Sequence, residues 1–350
     1  MNVLPSTWAF KCKCFPDGTI KKFKGRFCAR GDTQIEGVDF FETYAPVVQW
    51  VTVRLMLVLE VLLGLKSKQG DVTCAFLHAD LDENEKVYVE MPQGFKQCRK
   101  NGNYKVLKLK KTLYGLRQSP REFWKYITKK LAACGLTQSK LDPCLFIGEK
   151  VICVCYVDDL IFWSRDESHI EELAGMLRSE GVDLEQESDA AGFLGVKLTR
   201  DETTGFMHLT QSGLIDRIIA ALGLDVGTIN GKAKPSESKP LTKDEDGEAA
   251  QGSFNYASVV GMLLYLSVHT RPDIAYAINC AARFMFNPKL SHELALKQIG
   301  RYLKAIQDKG LILNPSSVMK VDCYTDADFS GLYGYEKYND PYVSKTKQVM

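Results

Sequence analysis

Asp158 and Asp159 are the residues whose types and spacing most directly suggest chemistry. They adjoin in Tyr156-Val157-Asp158-Asp159, between the apolar arms Val151-Ile152-Cys153-Val154-Cys155 and Leu160-Ile161-Phe162-Trp163. β-Branched and aromatic arms around a polar pair predict a β-hairpin with both aspartates at its tip. Hairpin tips ordinarily use Asn-Gly or Asp-Gly because the turn needs positive φ, and this tip has no glycine. Neighbouring carboxylates repel unless a cation neutralises them, and hard divalent ions take carboxylate oxygens. The pair therefore reads either as part of a divalent-metal site or as a solvated acidic turn. Asp71 is a third carboxylate, near the start of the otherwise apolar run Val72-Thr73-Cys74-Ala75-Phe76-Leu77. Alone it reads as a cap or turn residue. Phe76, five residues on, is an aromatic able to floor a small pocket.

The elements that must hold these groups follow from periodicity. Residues 51–66, apolar almost throughout, predict a mostly buried helix, and 68–77 a short strand running into a turn. A helix is expected to begin near Pro120, with Phe123, Trp124, Ile127 and Leu131 as its apolar pattern. Another, 167–180, carries Ile170, Leu173, Met176 and Leu177 on its apolar side. At the N-terminus, Trp8 to Lys13 alternates, Pro16-Asp17-Gly18-Thr19 turns, and 20–29 returns, giving a basic β-hairpin. Lys24, Arg26 and Arg30 are even numbers of residues apart and share one face of a regular strand. Such a face suits a triphosphate gripped by guanidinium, or else protects an edge strand with cations. Residues 192–198 and 206–209 predict a second hairpin turned by 201–205. Residues 225–255 read as a polar connection, and 256–267, 272–286 and 291–306 as helices with a shared core.

The 350 residues carry a net charge of only +2, so no whole-protein field announces a polyanionic partner. The local distribution says more. Residues 11–30 hold seven Lys or Arg against Asp17, and 96–130 hold twelve against Glu122. One such run is usually a solvated face; two beside an acidic hairpin read as a phosphate-binding groove. The eleven cysteines include no Cys-x-x-Cys pair, which argues against zinc and for reduced thiols in an intracellular compartment. The N-terminus has no signal-peptide pattern, and the longest apolar stretch, 55–65, is short and broken by Glu60. No membrane span is expected.

Several blocks in order carry a family resemblance: Lys24-x-Arg26, Phe41-Glu42-Thr43-Tyr44-Ala45-Pro46-Val47, Asp71-Val72-x-x-Ala75-Phe76-Leu77 and Leu113-Tyr114-Gly115-Leu116-Arg117-Gln118-Ser119-Pro120-Arg121. They continue with Tyr156-Val157-Asp158-Asp159, Phe193-Leu194-Gly195, His208-Leu209-Thr210-Gln211-Ser212, Thr270-Arg271-Pro272-Asp273-Ile274-Ala275 and Tyr324-Thr325-Asp326-Ala327-Asp328. From about Trp8 to about Gly331 the chain resembles the reverse transcriptase of copia-type LTR retrotransposons, the central part of a Pol polyprotein. The resemblance implies an α+β right-hand polymerase fold. Fingers and palm would occupy 1–225, a flexible connection 226–255, a helical thumb 256–318 and the start of an RNase H domain 319–350. It implies Asp71, Asp158 and Asp159 as catalytic ligands of two Mg²⁺ ions, with Mn²⁺ as a substitute. Lys24, Arg26, Arg30, Phe76, Tyr114, Gly115 and Arg117 would form the nucleotide site. Phe193, Leu194 and Gly195 would grip the primer, and Asp326 would be an RNase H remnant. Partners would be RNA template, DNA primer, RNA–DNA hybrid and dNTPs. The location would be cytoplasmic, in a virus-like particle, with access to the nucleus.

Two departures stand beside the match. Residues 181–192 contain no Lys or Arg where many polymerases place a lysine that protonates pyrophosphate. Ser344-Lys345-Thr346-Lys347-Gln348 replaces the family's Ser-Arg-Thr-Gly-Tyr, and about thirty residues cannot build an RNase H core. Three functions are thus in play. The first is an RNA- and DNA-templated DNA polymerase. The second is a decayed or co-opted nucleic-acid-binding relic of the same fold. The third, a nuclease using Asp326 and Asp328, lacks its other ligands.

Overall fold

Alternation along the strands decides where the first sheet faces. The computed structural model describes residues 2–14, 20–100, 102–186, 192–225, 230–315, 320, 322–325, 327–329, 335–336 and 346–348. Two units, Met1–Ala190 and Ala191–Met350, account for the chain. The first opens with the antiparallel pair β1 (Ser6–Cys14) and β2 (Ile20–Ala29), as expected. The expected turn at 16–19 lies outside the described residues.

Helix α1 (Trp50–Leu63) ends on Gly64, whose φ of 62° is the left-handed conformation that glycine reaches without a Cβ penalty. That stop comes earlier than expected, and β3 (Lys66–Val72) begins where the helix was to finish. β4 (Tyr88–Glu90) and β5 (Val106–Lys108) pair with each other. Helix α2 (Ser119–Ala133) starts with Pro120 in its first turn, where a missing N–H costs nothing. β6 (Thr137–Gln138), β7 (Leu145–Ile147), β8 (Val151–Tyr156), β9 (Asp159–Ser164), α3 (Glu167–Ser179) and β10 (Leu184–Gln186) complete the unit. Six of these strands form one antiparallel sheet, in the order β10-β3-β9-β8-β7-β6.

Partners opposite each other on antiparallel strands share a face. Val72, Cys153, Cys155, Leu160, Phe162 and Leu184 point to one face, where α2 (Phe123, Ile127, Leu131) and α3 (Ile170, Leu173, Ala174, Leu177) bury them. At about 1.5–3 kcal/mol for each large apolar side chain buried, this is the main stabilising layer of the unit. Met176 does not join it; its side chain is exposed, and Ala174 takes the inward position. The opposite face carries Gln69, Asp71, Asp159, Ile161 and Trp163. Helix α1 holds one end of it through Glu60, which accepts from the Trp163 indole at 2.8 Å and the Ser67 hydroxyl at 2.9 Å. The N-terminus of α1 has no cap of its own; buried Asp142 accepts from Gln49 N at 3.1 Å and Thr52 Oγ1 at 2.5 Å.

In the second unit the expected arm 192–198 is broken in two. β11 (Gly192–Phe193) folds back on β12 (Val196–Arg200) through Leu194 and Gly195, both at positive φ. β13 (Met207–Thr210) pairs with β12 and with a later strand, Leu311–Leu313. Between them, α4 (Ser212–Ala221), α5 (Tyr256–His269), α6 (Ala275–Ala282) and α7 (Leu290–Ala305) bury one shared apolar cluster. Helix α4 was not anticipated. The Thr270–Ala275 block is structural: Arg271, almost fully buried, clasps Asp273 at 2.7 and 3.0 Å and donates to the Ile306 carbonyl at 3.2 Å. Further on, Ala327–Phe329 pairs with Thr346–Gln348. No helix among the described residues is long and apolar enough to cross a membrane.

Candidate active site

The β8–β9 turn is tighter than its sequence suggested. Tyr156 pairs with Asp159, so the two-residue tip is Val157-Asp158, and Asp159 is the first residue of β9. Val157 supplies the positive φ, 55°, that a glycine would normally take. A β-branched residue there is strained, a cost of roughly 1–3 kcal/mol that surrounding structure must offset. The surroundings are rigid: β8 and β9 are enclosed on both faces, and Val72 N donates to Asp158 O at 2.9 Å, tying the tip to β3.

Register then gathers carboxylates. Asp71 stands directly across from Asp159, and Glu185 directly across from Asp71. Glu185, Asp71, Asp159 and Tyr156 thus form one row across β10, β3, β9 and β8, at the end of the face that α1 does not anchor. Asp158 sits in the turn beside that row. Among the described residues no three His, Cys, Asp or Glu side chains are already drawn together as a ligand set. The donor chemistry nevertheless fits a hard divalent cation, since carboxylate oxygens come from separate strands and a turn while substrate phosphates ordinarily complete such shells. Burial pushes the Cys155 thiol upward, with Cys144, Asp158 and Asp159 acting in the same sense.

A second group meets this end of the sheet. Arg26 lies over the Tyr114 ring, 5.4 Å from its centroid, and its Nε is buried with no hydrogen-bond partner among the described residues. Burial raises the Tyr114 hydroxyl above its ordinary range; Cys74 and Asp158 reinforce this and Arg26 opposes it. Cys74, Arg26 and Asp158 thus each act on the Tyr114 hydroxyl. Phe76 packs edge-on against Tyr114, centroids 5.3 Å apart, and against buried Phe123 at 6.1 Å. It rides on the short 3-10 helix Ala75–Leu77, which the left-handed Cys74 (φ 53°) introduces. Gly115, at φ 91°, cannot be replaced: a Cβ would sit 2.1 Å from the Ala29 carbonyl oxygen. That close approach, with Ala29 N donating to Tyr114 O at 2.8 Å, docks the Leu113–Arg117 loop on the base of β2.

Lys24 shares the face of Arg26, two residues away. Arg30 is exposed and held in a bidentate pair with Asp32 at 2.8 and 2.6 Å, which raises its pKa. Arg117 Nε donates to Gly31 O at 2.9 Å, and its backbone N–H to Gln34 Oε1 at 2.8 Å. Phe193, Leu194 and Gly195 belong to the second unit; Phe193 is buried there and Tyr265 donates to Leu194 O at 2.6 Å. Asp326 lies outside the described residues, as do 187–191 of the run without Lys or Arg.

Sequence reading missed two participants. Glu185 was visible only as part of an acidic run, because nothing in a three-residue strand announces its register. Gln118 is fully buried, and its amide donates to Asp39 O and Glu85 Oε2, both at 3.0 Å, while Oε1 accepts from Gln34 at 3.0 Å. A polar residue just before a helix gave no sign of that network.

A family described as "Reverse transcriptase (RNA-dependent DNA polymerase)" matches residues 1–238. The chain belongs to the reverse transcriptase family. It is similar to the retrovirus-related Pol polyprotein from transposon TNT 1-94 of Nicotiana tabacum, 34% identical over 97% of this chain and 26% of that protein. The corresponding polyprotein from transposon RE1 of Arabidopsis thaliana is 31% identical over the whole chain and 23% of its own length. The transposon Ty1-H Gag-Pol polyprotein of Saccharomyces cerevisiae is 26% identical over 96% of this chain and 19% of its own. These relatives bear out the copia-type resemblance. This reverse transcriptase chain spans about a quarter of the length of the first two and less of the third.

Proposed function

We propose that the protein extends a DNA primer with dNTPs on an RNA or DNA template, by nucleotidyl transfer at the Asp71–Asp158–Asp159 end of the six-stranded sheet. The observation that carries this reading is the in-register pairing of Asp71 with Asp159, with Asp158 in the adjoining turn and acting on the hydroxyl of Tyr114, over whose ring Arg26 lies. Asp71, Asp158 and, more weakly, Asp159 would hold two Mg²⁺ ions, or Mn²⁺ in their place. Such ions, when bound, neutralise charge on the attacking and leaving oxygens of the transferred phosphoryl group.

The remaining work falls to the chain's own side chains. Arg26, whose buried Nε has a donor to spare, and Lys24 neutralise the incoming triphosphate, with Arg30 at the margin. Phe76, braced edge-on by Tyr114 and Phe123, closes the pocket floor where a ribose 2′-hydroxyl would otherwise fit. Tyr114, Gly115 and Arg117 line the nucleotide and templating-base pocket. The basic run 96–130 follows template phosphates, which positions a strand without reading its sequence. In right-hand terms, 1–225 combines fingers and palm, 226–255 connects, 256–318 is the thumb, and 319–350 is an RNase H-like segment that includes Asp326. Phe193-Leu194-Gly195, a tight hairpin in its own right, would contact the primer. Work inside a cytoplasmic particle with access to the nucleus would suit such an enzyme.

A binding-only relic is the second reading. Glu185, opposite Asp71 in a run with no Lys or Arg, puts negative charge where a proton donor for pyrophosphate would help. Extension of oligo(dT) on poly(rA) and on poly(dA), with dTTP and Mg²⁺, separates the two. Synthesis on both templates is the expected result; folded protein that binds primer–template yet adds nothing would establish the relic.

A further inference from the structure

Ser67, Gln69 and Asp71 alternate along one face of β3, opposite Trp163, Ile161 and Asp159 of β9. The face thus grades from an apolar end, where Trp163 and Ile161 are buried, to the carboxylate row. Gln69 stands between the two. It is directly across from Ile161 and two residues, about 6.7 Å of extended strand, from Asp71. Only 9% of it is exposed.

Its amide is the anomaly. Oε1 is shut off from solvent, yet it accepts no hydrogen bond from any described residue. Ser67, one pleat away, shows what the face does with a polar group that serves the fold: its hydroxyl donates to Glu60 at 2.9 Å. An acceptor buried without a partner costs free energy, and an apolar side chain of the same volume would fill the position without that cost. Packing against Ile161 gives no reason for an amide. Such groups are rare in folded proteins, and each calls for a reason.

The neighbouring row supplies one. A hard divalent ion held by carboxylates keeps water in its shell, and those waters are strong donors that need acceptors. Groups that accept from the shell orient it and tighten the ion. A neutral amide oxygen suits that task beside Asp71, Asp159 and Glu185, because it accepts without adding to their mutual repulsion.

We propose that Gln69 is a positioning residue of the carboxylate site: its Oε1 accepts a hydrogen bond from a water in the shell of the divalent ion held at Asp71, and so fixes that ion against β3. The inference rests on the reading of the row as the polymerase's divalent-ion site, and adds to it a residue that touches neither substrate nor ion.

Mn²⁺ binding to the full chain with primer–template, followed by the EPR signal of the free ion, tests this together with urea unfolding of the metal-free protein. Gln69→Met keeps the length of the side chain and removes the amide. It is expected to weaken Mn²⁺ binding about tenfold. Without metal its urea midpoint should equal or exceed that of the wild type, because no hydrogen bond is lost. Gln69→Glu, which keeps an acceptor oxygen at the same reach, should restore Mn²⁺ affinity. Unchanged affinity in Gln69→Met would overturn the inference, as would a Gln69→Glu variant that binds no better than Gln69→Met. So would a lower metal-free midpoint in Gln69→Met, since the amide would then serve the fold itself. Primer extension by a wild type whose Mn²⁺ affinity does not depend on Gln69 would remove this inference and keep the polymerase reading. Gln69-dependent Mn²⁺ binding in a protein that never extends a primer would do the reverse, and a wild type that binds no Mn²⁺ would remove both.

Discussion

Two hairpins in the first unit obey the same local rule and meet opposite fates. β8–β9 is enclosed on both faces, and its burial fixes a strained Val157 tip that aims carboxylates into one row. β1–β2 is longer, yet most of its described side chains are half-buried or exposed, and it is tied down mainly at its base. In the enclosed hairpin residue choice answers to packing. In the exposed one Phe27 packs on the cluster at the base, but no core dictates Phe10 or Phe23, which stay exposed.

Stability should separate the two hairpins most sharply. Phe162→Ala removes a fully buried ring from β9 and is expected to cost about 3–5 kcal/mol, whereas Phe10→Ala should fall within about 0.5 kcal/mol. Urea unfolding of both variants checks this, and similar midpoints would dissolve the contrast. Within the exposed hairpin, Arg26→Ala should raise the KM for dTTP about tenfold, because it loses a charge-assisted contact. Lys22→Ala, farther toward the tip on the same face, should change it less than about twofold. Equal effects would mean the face acts as diffuse charge.

The smallest effect concerns the polar network at the hairpin's base. Burial raises the Glu85 pKa, against an opposing hydrogen bond from Gln118 and with repulsion from Glu122 and Asp82. A raised carboxyl holds its proton more tightly when folded, so its contribution is fully present below about pH 4.5 and fades as pH rises through the folded value. Glu85→Gln should remove that decline. Relative to the variant, wild type should therefore lose stability between pH 4.5 and 8, measured as paired urea midpoints.

Much of this was legible in the sequence. Alternating arms announced β1–β2, apolar β-branched and aromatic arms announced β8–β9, and Pro120 marked the start of a helix that burial of its apolar stripe then stabilised, whereas the stop at Gly64 was not read. The carboxylates were found through motif spacing, but their arrangement was not. The tip moved to Val157-Asp158 because register, a non-local property, set Asp159 into β9. Leu194-Gly195 turned within an arm that read as continuous, through two successive positive-φ residues. Glu185 and Gln118 depend on partners more than eighty residues away in sequence, such as Asp71 and Gln34, and no local pattern encodes those contacts.

The most direct test of the central claim is single-turnover incorporation of dTTP by Asp158→Asn, which keeps the size of the turn residue and removes its charge. With primer–template binding confirmed, the rate is expected to fall by roughly a thousandfold or more, with Mg²⁺ dependence lost. Incorporation at the wild-type rate would contradict the assignment of the β8–β9 turn as the catalytic centre.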